Sequence, residues 1–169
     1  MNPNSLITRR AWLAGTLAAS LSLGLLAAAA PAFAHDAKCP VCKLDVPQDT
    51  DIQDNETAIR AGRKRIEYRS LLCALQDARS FNGDLTILAP SDVKGRPVLV
   101  NRKDGQWSVT PEGVLFVGAK VDHPHCQLGY RAFTTRAAFD AWVHKNHELL
   151  GDAQPLNLQQ LLQATGAGK

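Results

Sequence analysis

Hydrophobic and polar residues alternate in two short segments of the first half of the chain. Residues 57–60 form the first segment, and residues 64–68, with Ile66 and Tyr68 between charged neighbours, form the second. A period of two is typical of half-buried strands, and Gly62 suits the turn between them. The pattern therefore predicts a β-hairpin.

A helical period follows the hairpin. Ser70 is a suitable N-cap, and Leu71, Leu75 and Ala78 fall on one face of the predicted helix, which extends to about residue 81. Apolar runs predict further strands at 85–88, 97–100, 113–118 and 129–133. The third of these runs is continuous, which favours a central strand.

Two helices are predicted near the end of the chain. Thr134 is expected to cap a helix that runs to about His147, with Phe139 and Trp142 on its apolar stripe. A short helix at 156–163 should precede a glycine-rich tail that frays.

Tyr68-Arg69 and Tyr130-Arg131 both fall at the end of a predicted strand, just before a helix. This faint repeat would be explained by an α+β fold of two small strand–strand–helix (ββα-type) modules packed together, preceded by an irregular arm that carries Cys-x-x-Cys. The predicted divisions are a targeting segment, the arm, the first module, the second module, and a short helix with a frayed tail. The targeting segment covers residues 1–34 and the arm 35–55. The first module covers 56–110, the second 111–150, and the short helix with its tail 151–169.

The targeting segment is similar to an export signal. Arg9-Arg10 precede an apolar run rich in Ala and Leu, and Ala32-Phe33-Ala34 fits a small-x-small cleavage site. The paired arginines favour the twin-arginine route, with an ordinary secretory signal or a retained membrane anchor as alternatives. We therefore expect a periplasmic protein without a membrane segment after cleavage.

The charge balance argues against one class of partner. The formal net charge of the chain is +3, and Arg9 and Arg10 would leave with the signal. Nucleic-acid binding needs a clustered basic surface, so no nucleic-acid partner is expected. The sequence also lacks the motifs of hydrolases and nucleotide-binding enzymes, and a non-enzymatic role is expected.

Three of the four cysteines lie in two short clusters, Cys39-Pro40-Val41-Cys42 and His123-Pro124-His125-Cys126. Thiolate and imidazole are donors that soft and borderline metals prefer. The first cluster has no strand before it, so a metal site is favoured over a redox pair or an inert disulfide. The second is expected in a loop between strands, with a polar turn and a bridged cysteine as the alternative. The predicted ligands are Cys39, Cys42, His123, His125 and Cys126.

The other cysteine and histidines have simpler interpretations. Cys73 falls between apolar neighbours in the first predicted helix, where a buried free cysteine is the default. His144 and His147 flank a helix C-terminus, where they suit the helix dipole. His35 would become the mature N-terminal residue, and its amine and imidazole could chelate Cu(II), although signal cleavage alone accounts for its position.

The order of these features resembles the NosL family, the nitrous oxide reductase accessory proteins. The resemblance rests on Cys39-Pro40-Val41-Cys42 with Val46, Tyr68 before a helix, Leu115-Phe116-Val117-Gly118 with Val121, and Leu128-Gly129 with Phe133. It implies two ββα-type modules related to the organomercurial lyase core, a bound Cu(I), and copper delivery to a periplasmic cupro-enzyme.

The chain departs from the family pattern at its sulfur donors. The family usually has Cys-Gly-Met and Met-Gly where this chain has Cys42-Lys43-Leu44 and Leu128-Gly129, and Met1 is its one methionine. The family's lipoprotein cysteine is also absent. A thioether ligand in the mature chain is therefore excluded, and a site of Cys and His would suit copper or zinc.

The sequence thus predicts a copper chaperone or copper delivery factor for an exported metalloenzyme. A thiol–disulfide oxidoreductase that uses Cys39 and Cys42 is one alternative. A disulfide-stapled interaction subunit of an exported enzyme is the other.

Overall fold

The computed structural model describes residues 38–46 and 56–168, which belong to one compact unit, Ala34–Lys169. The predicted signal and His35 lie outside these residues. No helix within the described ranges is both long and apolar enough to cross a bilayer.

Antiparallel strands form the main sheet of the molecule. The strands are β1 (Thr57–Ala61), β2 (Lys64–Tyr68), β3 (Leu85–Ala89), β4 (Val98–Lys103) and β5 (Gln106–Thr110). They lie in the order β2-β1-β3-β4-β5. Because β1 lies between β2 and β3, Ile59 is opposite Ile66 on one side and Ile87 on the other, which aligns apolar side chains across the sheet. The hairpin predicted around Gly62 is confirmed.

The remaining elements are short. The helices are α1 (Leu71–Asp77), α2 (Cys126–Gly129), α3 (Arg136–Lys145), α4 (His147–Leu150) and α5 (Leu158–Thr165), and two strands, β6 (Leu115–Phe116) and β7 (Ala132–Phe133), pair with each other. The strand–strand–helix order occurs as β1-β2-α1 and again as β6, β7 and α3, where a 3-10 turn and α2 lie between the two strands. The predicted α+β fold of two ββα-type modules is therefore confirmed.

One hydrophobic core joins the two modules. Buried side chains of α1 and of the sheet pack with Phe116 of β6, with Ala132 of β7 and with Leu161 of α5. A smaller core lies under α3, where Phe133 meets Phe139 edge to face at 5.7 Å between ring centroids. The backbone of β7 also reaches the first module, because Ala132 N–H donates to Pro90 O at 3.0 Å.

Two strand predictions were wrong in detail. The apolar run at 113–118 is not a central strand, because only Leu115–Phe116 pairs, and it pairs in a two-stranded sheet. Its apolar character comes from burial, because Val114 and Phe116 lie in the main core and Val117 lies in the smaller one. The run at 129–133 begins as the end of α2 and becomes a strand only at β7.

The helix termini also differ from the predictions. Thr135, not Thr134, caps α3 by accepting the N–H of Ala138 at 3.1 Å. The last helix starts after Asn157, whose side chain and that of Gln160 form a reciprocal capping box. The turn after it packs back on the core, in contrast to the fraying expected from its glycines: Ala167 is buried.

Candidate metal centre

A tight turn presents the first two cysteines. Cys39 N–H donates to Leu44 O, and Lys43 N–H donates to Cys39 O, both at 2.9 Å. Lys43 closes the turn with a φ of 62°, a left-handed conformation that favours glycine. The turn leaves Cys39 buried and Cys42 half-buried.

Cys73 lies in the first turn of α1, beneath this segment. Ser70, the N-cap residue, accepts the N–H of Cys73 at 3.4 Å, and its hydroxyl lies 3.5 Å from Cys73 Sγ. The cap fixes where α1 begins and therefore where Cys73 points. Cys73 is fully buried, in agreement with the default interpretation of its burial.

The second cluster is helical, which corrects the expectation of a loop between two strands. His123–His125 form a 3-10 turn that continues into α2 at Cys126. The turn leaves His123 exposed and Cys126 fully buried. Gly129 allows the end of α2 to pack closely against residues 119–121, because a Cβ there would lie 2.8 Å from Ala119 O.

The structure gathers these donors into two groups that share one residue. Cys39, Cys42 and Cys73 have ligand atoms within 4.8 Å of one another, and so do Cys73, His123 and Cys126. His125 belongs to neither group of the described residues, and its Nδ1 lies 2.6 Å from Asp122 Oδ1.

Arg69 joins the two cysteine-bearing turns. Its guanidinium donates to Asp45 O at 2.6 Å, just after the first turn, and to Pro124 O at 2.8 Å in the second. Its Nε is buried and has no hydrogen-bond partner among the described residues. An unpaired buried donor is costly, and anionic sulfur groups nearby would offset part of that cost.

The first two thiols differ in acidity. Burial alone would raise the pKa of Cys39, but the backbone N–H groups of Arg69, Cys42 and Val41 stabilise its thiolate and lower that pKa. Burial raises the pKa of Cys42, with a further contribution from the neighbouring Cys39 charge. The less accessible cysteine is therefore the more acidic one.

Cys73 and Cys126 share a hydrogen bond. That bond lowers the pKa of Cys126, although burial opposes the shift, and Ser70 and the charge of Arg69 act in the same direction. The same bond, together with burial, raises the pKa of Cys73. A cation could take the place of the proton in this hydrogen bond.

The chemistry of the donor set suits a soft metal ion. All four cysteines lie in the described part of the chain and all are free thiols, so each can bind as a thiolate. Thiolate ligands select Cu(I) and Zn(II), and imidazole suits both metals. The cysteine and histidine groups could therefore hold a metal ion.

The positions of Cys73 in both donor groups and of Arg69 between the two turns were not predicted from the sequence. Cys73 had the apolar neighbours of a core residue, and its position three residues after the N-cap Ser70 was the available indication that it faces the helix start. Arg69 follows Tyr68 at the end of β2, and Arg131 follows Tyr130 before β7, which makes a faint internal repeat.

Comparisons with known proteins add little to these observations. No protein-family model matches the chain, and no curated protein matches it significantly. A crystal structure of the mercury-bound form of MerB2 is similar, with a TM-score of 0.49 and 16% identity over 66% of this chain and 56% of that chain. The match thus spans little more than half the length of MerB2.

Proposed function

We propose that this protein is a non-enzymatic metal-binding accessory protein of the periplasm, a divergent NosL-like copper chaperone or delivery factor. Its cargo is Cu(I), with Zn(II) as the alternative, and its client is an exported metalloenzyme. The ligands are Cys39, Cys42, Cys73, His123 and Cys126.

One observation supports this proposal above the others. Four free thiols and one imidazole, drawn from three separate segments, lie in two ligand-sized groups around Cys73. Buried thiols without a structural disulfide are uncommon in exported proteins, where cysteines are usually oxidised. A bound metal ion would protect these thiols from oxidation in such a compartment.

The burial of the donors suits delivery. Cys39, Cys73 and Cys126 are fully buried, whereas Cys42 is half-buried and His123 is exposed. A client ligand can therefore approach the ion from the side of Cys42 and His123 while the buried sulfurs still hold it. Stepwise ligand exchange of this kind transfers the ion without releasing it to water.

The thiol–disulfide alternative is disfavoured by accessibility. A redox-active cysteine needs a lowered pKa together with exposure. Cys39 has the lowered pKa but is buried, and Cys42 is accessible but has a raised pKa. The disulfide-stapled alternative needs bridges, and the four cysteines are free.

Titration of the reduced full-length chain with Cu(I) and with Zn(II), against a competing chromogenic chelator, tests the proposal. We expect tight binding that weakens as the pH falls, because protons compete with the metal for the thiolates. The double variant Cys39→Ser with Cys42→Ser should bind less metal, or bind it more weakly, whereas His147→Gln, an exposed histidine on α4, should bind as the parent does. Absence of tight binding, or binding that the double variant leaves unchanged, would contradict the proposal.

Export is tested separately. The paired arginines predict that Arg9→Lys with Arg10→Lys retains the protein inside the cell, whereas the parent chain is recovered from the periplasm. Recovery of both from the periplasm would favour the ordinary secretory route, and recovery of neither would contradict the proposed location.

A further inference from the structure

We infer that the centre holds two metal ions bridged by the sulfur of Cys73, an inference that rests on the metal-binding function proposed above. One ion would be bound by Cys39, Cys42 and Cys73. The second would be bound by Cys73, His123 and Cys126.

The distances between ligand atoms favour two ions over one. Two sulfur ligands of one tetrahedral ion, with bonds of about 2.3 Å, lie about 3.8 Å apart. The ligand atoms within each group are at most 4.8 Å apart, so each group needs only a small contraction to surround an ion. The five donors do not form one such group, and a single ion would have to leave some of them unused.

Cys73 is suited to the bridging position. A thiolate sulfur has more than one lone pair available, so it can bond to two ions at once. The residue is fully buried at the capped start of α1, and the two turns approach it from different chain segments. Neither turn contributes three donors of its own, so both ions depend on this sulfur.

The charges of the site are compatible with a second cation. With one monovalent ion, the other thiols either remain protonated or add uncompensated negative charge to a buried site. A second ion replaces those protons, which pass to solvent, and no oxidation or reduction is needed. Arg69, whose charge already acts on Cys126, offsets part of the remaining negative charge.

The number of bound ions and the distance between them test this inference. The reduced full-length chain is titrated with Cu(I) against a chromogenic chelator, and the loaded protein is examined by X-ray absorption spectroscopy. We expect two ions per chain and a metal–metal vector shorter than about 4 Å. Binding of one ion without that vector would overturn the inference but leave the proposed function standing, whereas binding of none would overturn both.

Variants at the accessible ligands avoid dependence on the folding of a buried-site variant. Cys42→Ser weakens only the first group and His123→Gln only the second, so each should keep one tightly bound ion and bind the other about 10-fold more weakly. At a chelator concentration that strips only the weaker ion, each variant should lose the metal–metal vector. His147→Gln serves as the matched histidine control and should keep both ions. Retention of two ions and of the vector by both ligand variants would also overturn the inference.

Discussion

The two turns that carry the donors differ in their donor atoms and in their backbone geometry. The Cys39–Cys42 turn presents sulfur alone and is shaped by backbone hydrogen bonds and by a left-handed Lys43. The second turn, at His123–His125, presents nitrogen and continues as a helix into α2, whose first residue, Cys126, adds the sulfur. The first therefore resembles a preformed sulfur clamp, whereas the second places one exposed and one buried donor.

Despite these different shapes, neither turn alone supplies three donors. Each contributes two donors to its group and takes the third from Cys73. Arg69 sets their spacing through carbonyl groups on both sides. The site is therefore a property of the assembled fold and not of either motif.

Replacing Cys73, the donor that both groups share, should weaken metal binding at both groups. Cys73→Ser removes a thiolate from each group, and we expect metal affinity to fall by on the order of 100-fold or more. Competition with a chromogenic chelator measures the affinity, and chemical denaturation of the metal-free protein shows whether the fold is retained. A folded variant with the affinity of the parent would show that the two turns bind metal without α1.

Removing the Arg69 hydrogen bonds that join the two turns should have the next largest effect, which is on the free energy of unfolding. Arg69→Met keeps most of the length of the side chain but loses both hydrogen bonds to the turns. We expect the free energy of unfolding of the metal-free protein to fall by about 2 kcal/mol, as measured by chemical denaturation. Arg136→Met, at an exposed ion pair with Asp140, is the control and should change it by less than about 1 kcal/mol. Equal effects of the two substitutions would remove the special role of Arg69.

The two histidines of the second turn should behave differently. His123→Gln removes a donor of the second group, and we expect the affinity of that group to fall about 10-fold. His125→Gln should leave the affinity close to that of the parent, because its ring contacts Asp122 and lies outside the group. Chelator competition on both variants decides the assignment, and the reverse order would move the nitrogen ligand to His125.

The smallest expected effect concerns the shape of the first turn. Lys43→Gly relieves a left-handed residue, and we expect the free energy of unfolding to rise by about 0.5 kcal/mol after the entropic cost of glycine. Lys43→Ala keeps the Cβ and loses the bond from Lys43 Nζ to Pro40 O, so it should destabilise. A glycine variant no more stable than the alanine variant would show that the turn is not strained.

Local patterns predicted much of the fold. The hairpin of β1 and β2, the cap at Ser70 and strands β3 and β4 follow from periodicity and turn residues near each other in the sequence. Strand β5 was missed although it alternates half-buried and exposed positions, because its residues are mostly polar or exposed. The run at 113–118 was wrongly predicted as a central strand, because burial against neighbouring helices produces the same apolar pattern as a central strand.

The site was harder to predict than the fold for a physical reason. Cys39, Cys42, His123 and Cys126 stand out because donors cluster within a few residues. Cys73 stands alone in the sequence, and its importance arises from contacts with segments far away along the chain. Such contacts depend on packing between elements, on which local spacing carries no information.

The shared position of Cys73 has a further consequence for folding. A metal ion held by Cys39 and Cys73, or by Cys73 and Cys126, closes a long loop of the chain, as a disulfide would. Such closure lowers the entropy of the unfolded ensemble, and ligand binding to the native state adds to its stability. Binding of the metal would then cross-link the protein reversibly. Transfer of the metal to the client would remove the cross-link and lower the free energy of unfolding of this protein.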